Sequence, residues 1–308
     1  MTPPTIFTTC KPFKGEFKTI QANALTSWAK LRPWCEVIIF GNEDGVAESC
    51  KELGIRHVEE VPRSEYGTPL MNGLFKAAER EASSDILVFV NADIMLTNDL
   101  MPAVQRVATA FGNFLLIARR WNVDMKEGWD FSTSAWDSRL RAYARRNGRL
   151  EPVYGGIDLF VYVRGMWQEI PPFAIGRGRW DSALIYMAIR SGVPVIDATE
   201  VVTCVHQNHG YAHHPQDASG VFKGPEAVRN NELLGGDEYI LTSLNATYLL
   251  TASGMRRQID FYPPHLLRRL ATFPALYKPL KPFAPIVRML APSWRKIQRS
   301  KERRLSSP

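Results

Sequence analysis

No stretch of this chain of 308 residues approaches the roughly 20 consecutive apolar positions that cross a bilayer, so a membrane-spanning protein is not expected. The opening Met1-Thr2-Pro3-Pro4-Thr5-Ile6-Phe7 lacks the charged-then-apolar layout of a secretion signal, and a cytoplasmic location is expected. Cysteine is scarce: Cys10, Cys35, Cys50 and Cys204 are scattered without a Cys-x-x-Cys pair. That argues against a disulfide framework and a zinc knuckle and leaves reduced core thiols. There is no internal repeat and no low-complexity segment. What remains, at 45% hydrophobic, is the composition of a globular protein of one large domain or two modest ones.

A net positive balance is also absent from most of the chain, despite an overall charge of +7. Thirteen of the 38 basic residues and two of the 31 acidic ones lie from Arg256 onward, so the body carries 25 against 29, about −4. A mildly acidic globule with a basic tail points to an anionic surface as the tail's partner, not to nucleic acid gripped by the whole fold.

Short buried strands alternate with helical patterns along the first hundred residues. Thr5 to Thr9, Glu36 to Gly41, Ile55 to Val61 and Ile86 to Val90 read as strands, and Phe17 to Leu31, Val46 to Leu53, Asn72 to Ala82 and Leu100 to Thr109 as helices. This predicts an α/β fold with a doubly wound, mostly parallel sheet, whose loops after Thr9, Phe40 and Val90 meet at one rim. Further strands are expected at Asn113 to Arg119, Leu159 to Val163, Val193 to Asp197 and Val201 to Val205, and a helix from Asp181 to Ser191. Trp121 to Arg149 changes character, with Trp121, Trp129 and Trp136 among acids and then a run of arginines, and reads as an excursion from the core.

The centre of this pattern is Ile86 to Val90, five apolar residues followed by Asn91-Ala92-Asp93. A carboxylate at such a strand end, with a second oxygen donor two residues away, suits a hard divalent cation holding a phosphate. The plain alternative is a turn that caps the next helix. Downstream come Gly155-Gly156 with Asp158, then Arg179-Trp180-Asp181, then His206-Gln207-Asn208-His209 with His213 and His214 close behind. Asp181 suits a general base and equally a helix amino-terminal residue, and the histidines suit a metal cluster or a polar turn.

The order of these pieces, over roughly residues 4 to 210, resembles the GT-A class of nucleotide-sugar glycosyltransferases, in particular the family-two-like group. The resemblance implies a Rossmann-like sheet and transfer of a sugar, by default from a UDP-sugar, to a glycan or lipid-linked acceptor with inversion. It implies a divalent cofactor, Mn or Mg, held by Asp93 and His206. It places Thr8, Thr9, Asn42, Glu43, Asn72 and Lys76 with the donor, and Asn91-Ala92-Asp93 where such enzymes carry Asp-x-Asp. Gly155, Gly156, Asp158 and Trp180 are implied on the acceptor side, with Trp180 offering an apolar face to a sugar ring, and Asp181 as the base. Residues 1–250 form the transferase domain in this reading, 1–110 its nucleotide-binding half and 111–250 its acceptor half, and 251–308 form a basic, partly helical tail. Asn91 in place of an aspartate and Trp180 beside Asp181 depart from the family's pattern.

Two rival functions differ in class. A sugar nucleotidyltransferase is expected to open with a glycine-rich, Arg-containing loop, where this chain has Lys11-Pro12-Phe13-Lys14-Gly15. A non-catalytic carbohydrate- or nucleotide-binding protein would fit a weakened metal site at Asn91. In the tail, Phe283, Ile286, Val287 and Leu290 share a helical face, with Trp294 and Ile297 beyond them amid Arg295, Lys296 and Arg299. Such a segment suits an anionic membrane surface, and so peripheral attachment at the inner face of a membrane, although prolines at 279, 282, 285 and 292 limit any long helix.

Overall fold

The computed structural model describes residues 2–210, 221–258 and 263–289. Its centre is a mixed, mostly parallel sheet with strands β1 (Thr5–Thr9), β2 (Glu36–Phe40), β3 (Arg56–Val58) and β4 (Ile86–Val90) on one side. The other side holds β6 (Leu115–Ala118), β9 (Leu159–Val163), β10 (Val195–Asp197), β12 (Tyr248–Thr251) and β13 (Gly254–Arg257), in the order β13-β12-β10-β6-β9-β4-β1-β2-β3. β9 runs antiparallel between β4 and β6 and so joins the two parallel groups.

Alternation along the strands explains why both faces are covered. Ile6, Val88 and Val90 enter one core layer with Leu25, Trp28 and Val104, whereas Phe7, Leu87 and Phe89 enter the other with Leu74, Phe75 and Leu184. Helices α1 (Glu16–Ala29), α2 (Val46–Leu53) and α4 (Leu100–Ala110) contribute to the first layer, and α3 (Met71–Glu81) and α6 (Trp180–Arg190) to the second. Gly54 ends α2 in the left-handed conformation at φ 64°, as its place after the helical pattern requires.

The structure corrects the expected pattern in the middle of the chain. A second sheet, in the order β5-β11-β7-β8, forms from β5 (Ile94–Leu96), β7 (Arg120–Val123), β8 (Arg149–Leu150) and β11 (Cys204–Gln207). The strand expected to stop at Arg119 continues as β7 after a break, and His206 lies within β11 instead of hanging beyond it. The excursion is itself packed: α5 (Trp136–Asn147) buries Trp136, Leu140 and Ala144 against Met95, Val123 and Val205. Its arginines, Arg139, Arg145 and Arg146, lie on the exposed face.

The sheet edge extends to Arg257, so the expected boundary at 250 falls inside β12. After α7 (Pro225–Leu234), the chain passes through the edge strands to α8 (Pro263–Ala271), α9 (Pro274–Tyr277) and α10 (Ala284–Met289). Leu290, Trp294, Arg295, Lys296, Ile297 and Arg299, like His213 and His214, lie outside the described residues. No described helix is long and apolar enough to cross a membrane.

Candidate metal and transfer site

The loop after β4 delivers Asp93, and β11 lies antiparallel to β5, with His206 opposite Ile94. This register carries His206 and His209 back to Asp93. His209 Nε2 stands 3.1 Å and His206 Nε2 3.7 Å from Asp93 Oδ2. The three side chains offer ligand atoms all within 4.8 Å of one another.

Their outer hydrogen bonds orient both rings. The Nδ1 of His209 contacts the Gly210 carbonyl at 2.9 Å, which only accepts, so Nδ1 carries the proton. The Nδ1 of His206 faces Asn208 Oδ1 at 3.3 Å, and Asn208 donates its amide to Asp124 Oδ1 at 2.8 Å. That amide orientation makes Asn208 Oδ1 the acceptor for His206 as well. In the neutral rings, the lone pair of each Nε2 therefore faces the Asp93 carboxylate. Electron pairs converging in this way call for a cation between them. Asp93 Oδ1 is buried and has no hydrogen-bond partner, a further sign that the donor set fits a metal ion.

Electrostatics favour an ionised Asp93. Burial pushes it up, but when the rings are protonated the His209 Nε2–H bond and the charges of His206, His209 and Arg120 outweigh burial and hold the carboxyl well below its usual range, and a cation would take the place of those protons. Burial also holds the His206 imidazole below its ordinary value, which favours the neutral form that binds metals. Lys11, two residues beyond β1, lies close enough to feel the charge of Asp93, and its ammonium sits 4.0 Å from the centre of the Phe17 ring. Burial brings that ammonium down to about 8 against the opposing pull of Asp93.

Asn91 is engaged with Asp158 through its amide nitrogen. Its amide donates to Asp158 Oδ1 at 2.6 Å, and Arg120 pairs with the other Asp158 oxygen. Asp158, expected at the acceptor, is 7% exposed and engaged in this pair. Arg120 also faces Glu151 at 3.6 Å, and Asn122 donates to Glu151. Gly155 lies where a Cβ would collide with the Glu151 side chain, so glycine there is a matter of room. A Cβ at Gly156 would stand 3.5 Å from Asp181 Oδ2, which leaves one side of that carboxylate open.

Asp181 lies in the first turn of α6, which begins one residue earlier than expected, at Trp180. Its Oδ2 accepts the Ile157 backbone N–H at 3.2 Å. A helix amino end alone lowers a carboxyl's pKa, yet here burial outweighs the Ser182 and Ile157 amides, the Asp158 charge adds to it, and Asp181 is raised. Trp180 is 5% exposed and packs edge-on against Phe89, at a centroid distance of 5.5 Å, and against Phe160. It is a core residue and presents no face to a sugar.

Of the expected donor residues, Thr8 is buried, and its hydroxyl bonds the Thr9 carbonyl, so it is closed to a nucleobase, while Thr9 stays partly exposed. Arg63 donates to Glu43 Oε1 at 2.7 Å and to Asn42 Oδ1 at 3.3 Å, whereas Glu43 Oε2 is buried without a partner. Asn72 and Lys76 are exposed on α3, and Gly73 between them makes room for Pro62. The expected ligand set also passed over His209, Arg120 and Lys11. His209 was legible only as one of several histidines, and Arg120 and Lys11 carried no signal apart from charge.

No family model matches the chain, and no curated protein matches it. Among solved structures, residues 1–349 of S. aureus TarS in complex with UDP-GlcNAc are similar at 12% identity and TM-score 0.48, covering 79% of this chain and 72% of that one. Another structure of the same fragment is similar at 11% identity and TM-score 0.40, over 68% and 59% of the two chains. Glucosyl-3-phosphoglycerate synthase from Mycobacterium tuberculosis in complex with phosphoglyceric acid is similar at 16% identity and TM-score 0.44, over 75% and 79%.

Proposed function

We propose that this chain is a GT-A-type glycosyltransferase that moves a sugar from a nucleotide-sugar donor, UDP-linked by default, to a glycan or lipid-linked acceptor with inversion. The observation that carries the reading is the convergence of Asp93, His206 and His209 at the carboxyl end of a sheet strand, with both Nε2 atoms facing the carboxylate. Asp93, His206 and His209 would hold a Mn or Mg ion, which would supply positive charge against the diphosphate leaving group.

The chain's own groups do the rest. Lys11 adds positive charge beside Asp93 for the donor's phosphates. Glu43 Oε2, with Thr9 and Asn72, is assigned to the nucleoside, and the half before residue 110 holds the donor. Asp181 accepts the proton of the acceptor hydroxyl as that oxygen attacks; its raised pKa makes it a stronger base than an ordinary aspartate. Asp158, fixed by Asn91 and Arg120, ties the end of β4 to the strand preceded by Ile157, the residue that holds Asp181. It is therefore a positioning residue between the two halves of the reaction.

Thermal unfolding with UDP, with Mn and with both tests this reading, since a ligand bound only to the folded chain raises its apparent stability. A rise with UDP and Mn together, larger than with either alone, and metal-dependent release of UDP from a UDP-sugar are expected. Absence of any nucleoside diphosphate response in the presence of metal would overturn it.

A further inference from the structure

Ten large apolar side chains are exposed among the described residues, and half of them, Leu266, Phe273, Leu276, Phe283 and Ile286, fall within 21 positions near the carboxyl end. They belong to α8, α9, α10 and the turns between them. This segment is folded onto the body through a different set of residues. Ala271, Thr272, Tyr277 and Ala284 are buried, α8 packs on the short helical turns at 237–239 and 243–245, and Lys281 pairs with Glu238 at 3.1 Å. The exposed apolar groups are therefore left over after docking. Phe273-Pro274-Ala275-Leu276 is an uninterrupted exposed apolar run, with Leu276 57% exposed.

The charge around them favours an anionic surface. From Phe261 to Lys301 there is no acidic residue, while Arg268, Arg269, Lys278, Lys281 and Arg288 alternate with the apolar positions and Arg295, Lys296 and Arg299 follow. Apolar side chains that enter the acyl boundary, with basic ones at headgroup level, match an anionic bilayer surface. A helix-in-groove protein partner would instead present its anchors along one continuous helix. Here prolines at 263, 264, 274, 279, 282 and 285 divide the segment into short pieces.

We propose that residues 266–286 form a folded membrane-docking surface for anionic lipid, in which Phe273, Leu276 and Phe283 insert and Lys278 stays at the headgroups. This goes beyond the transferase reading, with which it shares only the expectation of a lipid-linked acceptor. It differs from attachment by the extreme basic tail because the insertion residues stand on the docked helices and the turns between them.

The test is flotation of the full chain with phosphatidylcholine vesicles containing about 30% phosphatidylglycerol, against pure phosphatidylcholine, at about 0.15 M salt. The full chain is expected to float with the anionic vesicles at least about tenfold better than with the neutral ones. Phe273→Ser/Leu276→Ser/Phe283→Ser, made at exposed positions, should lose at least about tenfold of that binding, whereas Arg295→Gln/Lys296→Gln/Arg299→Gln loses less. Retention of binding by the serine variant, or a greater loss in the glutamine variant, overturns the proposal. So does sedimentation velocity showing that the full chain self-associates and the serine variant does not, with vesicle binding unchanged, because the covering partner is then a second copy. UDP and Mn binding measured on the same variants should match the unmodified chain, so failure of the docking surface and failure of the transferase reading give different results.

Discussion

His209 Nε2 lies 3.1 Å from Asp93 Oδ2 across 116 positions of sequence, with the ring's other nitrogen committed to the Gly210 carbonyl. The contact makes His209, more closely than His206, the partner of the carboxylate, and it sets the first test. Asp93→Ala should abolish Mn binding measured by isothermal titration. His209→Ala and His206→Ala should each weaken it on the order of 10²-fold, because a ligand's share of several kcal/mol is lost. Wild-type Mn affinity in His209→Ala would remove it from the ligand set.

Asn208→Ala tests the orientation of His206 without touching the metal ligands. Loss of the acceptor for Nδ1 frees the ring to change tautomer, and Mn affinity should fall about 10- to 100-fold with little change in the urea midpoint. Unchanged Mn affinity would show that the hydrogen bond does not orient the ring.

Burial raises Asp181, and a general base works only when ionised, so the rate should climb with pH through a midpoint above the ordinary aspartate range. Asp181→Asn should lower kcat by about 10²-fold or more and erase that acidic limb, with donor affinity nearly unchanged. A variant that transfers sugar at the wild-type rate would place the base elsewhere.

Arg120 and Asp158 form a largely enclosed ion pair, the Asp158 side chain 9% exposed. Arg120→Ala leaves that carboxylate buried without its cation and should cost about 3–5 kcal/mol of unfolding free energy. Adding Asp158→Asn should recover part of the loss, since the uncompensated charge is removed. A urea series on the single and double variants measures both, and an equal midpoint for Arg120→Ala and wild type would count against the pair.

Trp180 separates a core residue from a sugar platform. Trp180→Ala should cost about 3–5 kcal/mol of stability through the cavity it leaves beside Phe89 and Phe160. A sugar-stacking tryptophan would instead raise KM at unchanged stability, and that outcome would return Trp180 to the acceptor site.

Local pattern was enough to place much of the fold. Ile86 to Val90 is a wholly apolar, β-rich run of strand length, and it forms a fully buried strand because no polar residue in it needs a partner. Val46 to Leu53 with Gly54, and Leu159 to Val163, were bounded by residues whose backbone preferences end an element, and their limits were legible for that reason. Asp93, His206 and Asp181 were legible as candidates by residue type and by their order along the strands and helices, although capping and turn roles compete for the same positions.

Register and burial were decided by tertiary structure. β5, β7, β8 and β11 are short, and the pairing of β11 with β5 and β7 satisfies backbone groups between segments 84 to 112 residues apart, which no window of sequence displays. The same pairing brought His209 to Asp93. Asn91 reads as an oxygen donor by spacing alone; only the fold shows that its amide nitrogen, with Arg120, also supplies the donors that a buried Asp158 needs. Trp180 reads as a sugar platform beside an acid, but an indole at the start of α6 gains more from burial between Phe89 and Phe160 than from exposure. Sequence determined which residue types were available for metal, proton and phosphate chemistry. Which of them meet, and which are used up in holding the others, depended on long-range pairing and desolvation, which exist only once the chain has folded.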